Sequence, residues 1–431
     1  MLKIVTKNLE SEILLIKKRA GQLSDPIKLT AVKKIIADVI KRGDKACFEY
    51  TQKFDGVKLN KKNFPIAQIE LDLAHSQADP ALIQAMRKAI ANISEYALRQ
   101  VPQSWTYERA NKATLGMRFL PLKRVGIYIP GGQAVYPSSV LMTAVIAKVS
   151  GVDEIVVMCP PGPNGLPPAA ILTACVEVGV TEVYPLGGAQ AIAAMAYGTQ
   201  SIKPVDKIVG PGNIYVTLAK KEVFGKVGID GLAGPSESVI IADATAKAEW
   251  VARDLLIQAE HDPLAASILI TSDKGLAKKV SKEITKLVAK APRKKIIEAS
   301  LKKWGRIFIA KDIDQACAIS NWLAPEHLHV VIKDPYSAVN KITNAGAMFL
   351  GEYTPETVGD YIAGPSHVLP THGTARYASP LAVADFLRFS SLVEYSEQAL
   401  KEEAGMIQTL TQAEKLSAHG EAIQARLKEQ V

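Results

Sequence analysis

Cysteine is scarce and scattered. The 431 residues hold four, Cys47, Cys159, Cys175 and Cys317, with no C-x-x-C spacing. That argues against a disulfide framework and against a thiolate zinc knuckle. Cys159 falls at the end of a predicted buried strand, where a core thiol is expected. Long apolar runs are also missing: each is broken by Gly, Pro or charge well short of membrane-spanning length. The first residues, Met1-Leu2-Lys3-Ile4-Val5-Thr6-Lys7, carry no apolar h-region and no small-residue cleavage site. A cytoplasmic protein without membrane contact is the expectation. The G-x-G-x-x-G pattern is absent too, so no standard dinucleotide fingerprint is present.

What is present is a globular composition, 48% hydrophobic and 22% charged, with length for two or three folding units. The formal net charge of +9 raises the question of an anionic partner. The basic residues are scattered, however, and densest at Lys290 to Lys303, where Ile296, Ile297 and Leu301 alternate with them at helical spacing. That is a solvated helix face. With no aromatic interleaving and no nucleic-acid motif, no nucleic-acid partner is expected.

Residues 1 to 120 read mostly as helix, with apolar stripes over 28–43 (Leu29, Val32, Ile35, Ile36, Val39, Ile40) and a second long helix over 80–100. His75 stands alone there and reads as a surface residue. At Arg124 the texture changes. Strands are predicted at 125–129, 153–158, 182–186 and 206–209, each followed by a helix, which means βαβ units and a parallel sheet. Three of the four strand-to-helix junctions are Gly-rich: Pro130-Gly131-Gly132, Gly187-Gly188-Ala189-Gln190 and Gly210-Pro-Gly-Asn213. They should lie at the carboxyl edge of the sheet, where open α/β folds bind ligands. Bare backbone and helix N-termini suit a pyrophosphate there, and tight turns are the competing use of the glycines. A second α/β region follows, with strands at 238–242, 266–271, 306–310, 329–332 and 347–350. From about Pro380 the chain reads as an amphipathic helical tail without a strand partner.

The chemistry-bearing residues gather late in the chain. Gln258 and His261 are three apart at the end of a helical run, so both project from one face. An amide oxygen and an imidazole there can hold a metal but cannot complete its coordination. Glu326 and His327 are adjacent in a turn before a strand and offer two proton acceptors of different basicity. Asp360 and His367 share a Gly-rich loop, and Glu414 and His419 lie in the tail. Two imidazoles, a carboxylate and an amide form an N/O donor set that suits Zn²⁺ or Mn²⁺ with open positions.

These residues sit in a set of motifs: Arg42-Gly-Asp-Lys45 with Phe54-Asp-Gly56, Tyr128-Ile-Pro-Gly-Gly132, Gly187-Gly-Ala-Gln-Ala191, Gly210-Pro-Gly-Asn213, Ala233-Gly-Pro-Ser-Glu237, Gln258-Ala-Glu-His261, Ala324-Pro-Glu-His-Leu328, Gly359-Asp-Tyr361 and His367-Val-Leu-Pro-Thr371. In order and spacing, from about residue 30 to 420, the chain resembles the L-histidinol dehydrogenase family. With the strand and helix order above, the reading is two Rossmann-like parallel-sheet domains, one inserted in the other, with a helical N-terminal segment and a helical C-terminal tail. The resemblance divides the chain into an N-terminal arm (1–24), a discontinuous zinc and substrate side (25–123 with 237–380), an NAD side (124–236), and a tail (381–431) that contacts the other subunit of a homodimer.

It further implies one zinc per subunit, held by Gln258, His261 and Asp360 with His419 from the partner subunit. Substrate contacts are implied at Ser236, His327, His367, Glu414 and His419, and NAD contacts at Tyr128, Gln190 and Asn213. The implied reaction is oxidation of L-histidinol through L-histidinaldehyde to L-histidine with two NAD. His327 would act as the base, and Glu326 would activate water in the second half. His372 and His329 receive no role. The rival readings are a related dehydrogenase for another alcohol, such as a sulfonated diol, and a zinc hydrolase using Glu326 without NAD. The presence of Asp360, His367, Glu414 and His419 disfavours the first, and the Gly-rich junctions disfavour the second.

Overall fold

The computed structural model describes residues 2–19, 25–131 and 135–427. Gly132 of the first Gly-rich junction, and residues 20–24 of the expected N-terminal arm, lie outside them. The chain divides into two compact units, Met1–Gln100 with Leu122–Phe386, and Val101–Pro121 with Leu387–Val431.

The larger unit holds two parallel sheets. The first contains β4 (Arg124–Tyr128), β5 (Glu154–Met158), β6 (Glu182–Tyr184), β7 (Lys207–Val209) and β8 (Gly228–Ile229), in the order β6-β5-β4-β7-β8. The second contains β1 (Lys3–Val5), β9 (Glu237–Ala242), β10 (Ala266–Thr271), β11 (Arg306–Ile309), β12 (His327–Val331) and β13 (Ala347–Leu350), in the order β1-β11-β10-β9-β12-β13. All pairings in both are parallel. The central strands are buried on both faces, β9, β10 and β12 completely, as parallel strands covered by crossover helices must be, while the edge strands β1 and β13 are partly exposed. Each fully buried Val, Ile or Leu adds about 1.5–3 kcal/mol of burial free energy. None of the helices among the described residues is long and apolar enough to cross a membrane.

Two elements ahead of residue 124 depart from the reading by chain order. The segment Lys3–Val5 is not part of a helical arm but a strand, β1, paired with Arg306–Phe308 of β11. It is too short for a period-2 pattern to register. The helices Pro26–Arg42 and Asp44–Asp55 pack on the β4–β8 sheet rather than on the sheet of residues 237–350. Their stripe Val32, Ile35, Ile36 and Val39, with Ala46 and Cys47, joins one core with Tyr128, Met158, Ile192 and Ile208. Cys159 is a buried core thiol, as expected.

The smaller unit is an antiparallel sheet with two helices. β2 (Trp105–Glu108) and β3 (Thr114–Pro121) form a hairpin, and β14 (Leu387–Glu394) pairs with β3 along its whole length, Leu387 opposite Pro121 and Glu394 opposite Thr114. The tail therefore does have a strand partner. Exposed residues fill β14 and β2, so neither shows the alternation of a half-buried strand. The helices Glu397–Ala413 and Ser417–Leu427 follow.

Candidate active site

The three Gly-rich junctions meet at the carboxyl edge of the β4–β8 sheet and line one cavity of about 840 Å³. Its wall includes Tyr128, Pro130, Gly131, Pro160, Gln190 and Asn213. Glycine is needed here for close approach. A Cβ on Gly131 or Gly187 would stand 2.9 or 2.4 Å from the Pro160 side chain, and one on Gly210 (φ +109°) would stand 2.2 Å from the Tyr128 carbonyl oxygen. The Gly210 turn is held from behind. Asp230 accepts from Gly210 N–H at 2.7 Å, Lys220 donates to its carbonyl at 3.0 Å, and the two side chains form a buried ion pair.

Asn213 caps the helix Ile214–Val223, its Oδ1 accepting from Tyr215 and Val216 N–H at 3.0 and 3.2 Å. The buried Tyr128 hydroxyl accepts from Gly188 N–H at 3.1 Å. Gln190 is 1% exposed and its Oε1 has no partner. The cavity thus offers backbone, two helix N-termini and an unused acceptor.

The second set of residues collects at the opposite kind of edge, where β9 and β12 begin. In register His327 pairs with Ser238 and with Ala347. The left-handed Ala324 (φ 50°) ends the helix Ile313–Leu323 and turns the chain so that Pro325, Glu326 and His327 enter β12 buried. Glu326 Oε2 accepts from Glu237 N–H at 3.0 Å and lies 3.8 Å from His327 Nδ1. His327 Nδ1 stands 3.2 Å from the Glu237 carbonyl oxygen. A carbonyl can only accept, so Nδ1 carries the proton and Nε2 is the basic nitrogen. Nε2 faces Asp360 Oδ1 at 3.9 Å, and the ring stacks on Phe349 with centroids 6.1 Å apart.

Gln258 and Asp360 approach from the helices Ala248–Ala259 and Glu356–Tyr361. Glu356 and Asp360 are four apart and share a helix face. Buried Gln258 donates from Nε2 to Glu356 Oε2 at 3.1 Å, and the Ser238 hydroxyl donates to the other Glu356 oxygen. His367 is fixed at both nitrogens, with Nδ1 3.0 Å from the Asp360 carbonyl oxygen and Nε2 3.2 Å from Ser139 Oγ. Its Nδ1–H therefore donates to that carbonyl, and its Nε2 accepts from the serine hydroxyl. His261 follows the helix as an exposed residue, and Ser236 lies just before β9.

Charge is in excess. Burial pushes the Glu326, Glu237 and Glu356 carboxyls above the usual carboxylate range, although Arg19 pairs with Glu237. Burial also works against a charged His327, but the Glu326, Glu356 and Asp360 carboxylates outweigh it and raise its pKa. Burial lowers that of His367.

Among the described residues no group of three or more His, Cys, Asp and Glu side chains stands at metal-holding distance. The implied zinc set has only two such residues in this unit, His261 and Asp360. Its third donor here is the Gln258 amide. Glu356 fixes that amide by its nitrogen, which leaves the oxygen free to ligate. A surplus of buried carboxylates and an oriented amide oxygen fit a divalent cation.

Glu326, His327, Asp360 and His367 are brought together, with Gln258 linked through Glu356. Tyr128, Gln190 and Asn213 are brought together at the cavity. Glu414 and His419 belong to the smaller unit, where both are exposed. They do not share a helix: Glu414 caps the end of Glu397–Ala413, Lys415 is left-handed (φ 58°), and His419 sits in Ser417–Leu427.

Glu356, Glu237, Ser238 and Ser139 escaped the sequence reading. Only Glu356 had a signal, its spacing from Asp360. His75 is not isolated; it lies 2.7 Å from Glu177. His329 is a buried strand residue whose Nε2 lies 2.9 Å from the Gly351 carbonyl. His372 is left-handed, and its Nε2 is buried without a partner.

Two parallel sheets, one with a glycine-walled cavity and one with a buried acid–imidazole cluster, define an α/β protein of the Rossmann-like class. A family model described as histidinol dehydrogenase matches residues 18–427. The histidinol dehydrogenase of Moorella thermoacetica is 50% identical over 395 residues, 92% of this chain and 93% of the relative. That of Synechococcus sp. is 49% identical over 396 residues, 92% of this chain and 91% of the relative. A crystal structure of histidinol dehydrogenase from Elizabethkingia anophelis matches with a TM-score of 0.91 at 33% identity, covering 99% of this chain and 98% of that one. The chain belongs to the histidinol dehydrogenase family.

Proposed function

We propose that this protein oxidises L-histidinol through L-histidinaldehyde to L-histidine, the last steps of histidine biosynthesis, using two NAD and a zinc ion in a cytoplasmic homodimer. The observation that carries the reading is His327, a buried imidazole whose Nδ1 proton is committed to the Glu237 carbonyl and whose Nε2 is left basic. Residues 124–236 take NAD in the glycine-walled cavity, and residues 237–380 take zinc and substrate. NAD accepts the hydride in each step.

His327 Nε2 removes the hydroxyl proton as hydride leaves the carbinol carbon. Glu326, held by Glu237 N–H, then takes a proton from the water that adds to the aldehyde carbon, while protonated His327 returns its proton to the aldehyde oxygen, which completes the hydrate and leaves Nε2 basic again. His327 takes a hydroxyl proton from the hydrate as the second hydride leaves. Gln258, His261 and Asp360 hold zinc with His419 of the partner subunit, while Ser236, His367 and the partner's Glu414 position the substrate. When bound, zinc supplies coordination positions that fix the substrate imidazole and amine, and positive charge that draws the proton affinity of His327 back down.

The test is NADH absorbance from L-histidinol with the purified protein. Turnover lost on chelation and restored by zinc is expected. No NADH from histidinol in a zinc-loaded dimer would move the activity to a related alcohol.

A further inference from the structure

In a dinucleotide-binding sheet, the acid that receives the ribose hydroxyls stands at the end of the second strand. The β6-β5-β4-β7-β8 order makes β5 that strand, and its end reads Met158-Cys159-Pro160-Pro161. No carboxylate stands there. One arrives instead from outside the sheet. Asp55 is the last residue of the helix Asp44–Asp55, and Gly56 (φ +72°) turns the chain away behind it.

That helix is anchored on the sheet by Ala46 and Cys47 in the core and by Phe48, whose ring meets Phe64 at 4.9 Å, with Phe64 meeting Tyr184 at 5.2 Å. Asp55 lines the same cavity as Tyr128, Gln190 and Asn213. Burial raises the Tyr128 hydroxyl and the Cys159 thiol, at the carboxyl ends of β4 and β5, and the Asp55 carboxylate adds to the rise. Asp55 Oδ2 is buried without a hydrogen-bond partner, and so is Gln190 Oε1 in the same wall. No ion pair reaches Asp55 among the described residues; the neighbouring Lys53 ammonium lies over the Phe54 ring, 5.4 Å from its centroid. Two unmatched acceptors in one cavity ask for donors from a ligand. A vicinal diol is such a donor pair, and a phosphate is not.

We propose that Asp55 receives the adenosine ribose hydroxyls of the dinucleotide and thereby sets a preference for NAD over its 2′-phosphorylated form. This rests on the NAD cavity assigned above. A 2′-phosphate would bring negative charge against the Asp55 carboxylate, with which the Lys53 ammonium of the same cavity wall forms no ion pair.

The test compares wild type with Asp55→Asn, which keeps the volume, and Asp55→Ser, which opens space. KM and kcat/KM are read for NAD and NADP, with inhibition by ADP-ribose and KM for histidinol. Expected are a rise in KM for NAD of about 10- to 100-fold, the range of a lost charged hydrogen bond, a parallel loss of ADP-ribose inhibition, and a narrowed NAD to NADP ratio, with KM for histidinol unchanged. An unchanged ratio overturns the proposal, as does ADP-ribose inhibition that survives while NAD affinity falls. If wild type itself uses no NAD, the cavity assignment fails, and this proposal with it. If wild type uses NAD and both variants match it, this proposal alone fails.

Discussion

The two parallel sheets of the larger unit put their candidate site residues at opposite ends of their strands. In the β4–β8 sheet the junctions follow the strands, at the carboxyl edge, and glycine and proline bring the backbone to the wall beside Tyr128, Gln190, Asn213 and Asp55. In the β9–β13 region the residues precede the strands: Glu237 opens β9, His327 opens β12, and Glu326 lies one residue before it. The first edge is open and short of charge. The second is buried and crowded with carboxylates. A dinucleotide needs room and backbone donors, whereas proton transfer needs desolvated groups held by other groups. On the proposed reading, one chain supplies both by using opposite edges of two parallel sheets.

If the division holds, substitutions at the amino edge act on proton steps and those at the carboxyl edge on NAD. His327→Asn should lower turnover with histidinol by about 10²- to 10⁴-fold, the range of a lost general base, with zinc content near normal by metal analysis. Unchanged turnover would remove His327 as the base. Glu326→Gln should slow histidinaldehyde oxidation by about 10²-fold, and histidinol oxidation less, in assays started from each substrate. Equal losses would end the separation between the two groups.

At the other edge, Gly210→Ala forces a Cβ toward the Tyr128 carbonyl and should raise KM for NAD about tenfold, at a stability cost of about 1–3 kcal/mol. KM for histidinol should stay put. A change in histidinol KM alone would break the comparison.

The smallest effect concerns stability. Burial pushes the Asp55 carboxyl up to about 6. Its folded pKa lies above the unfolded value, so its contribution is fully present below about 4 and lost as pH rises through about 6. Partial exposure discounts this to about 1 kcal/mol. Without NAD, Asp55→Asn should therefore melt higher than wild type at pH 8 and no higher at pH 4. The same difference at both would deny the burial cost.

Much of the carboxyl-edge half was legible in the sequence. Strand, glycine and helix alternate from Arg124 onward, and the rule for open α/β sheets places such junctions together. The amino-edge half follows no such rule. Glu326 and His327 stood out by adjacency, yet nothing local says that Glu237, ninety residues earlier, fixes both of them through its backbone. Parallel pairing of β9 with β12 creates that contact, and such pairing leaves no trace in a window of sequence. β1 and β14 were missed because a three-residue edge strand and an exposed strand lack the alternation that marks a half-buried one. Asp55 lay inside a recognised motif, but its use depends on which sheet its helix covers.

A single acid–base cluster that serves two successive oxidations on one substrate fixes the stoichiometry of the reaction. The most direct test is the amount of NADH formed per L-histidinol consumed, followed by absorbance to completion with L-histidine measured as the end product. Two NADH for each histidine formed are expected. One NADH per histidinol, with the aldehyde as end product, would contradict that stoichiometry.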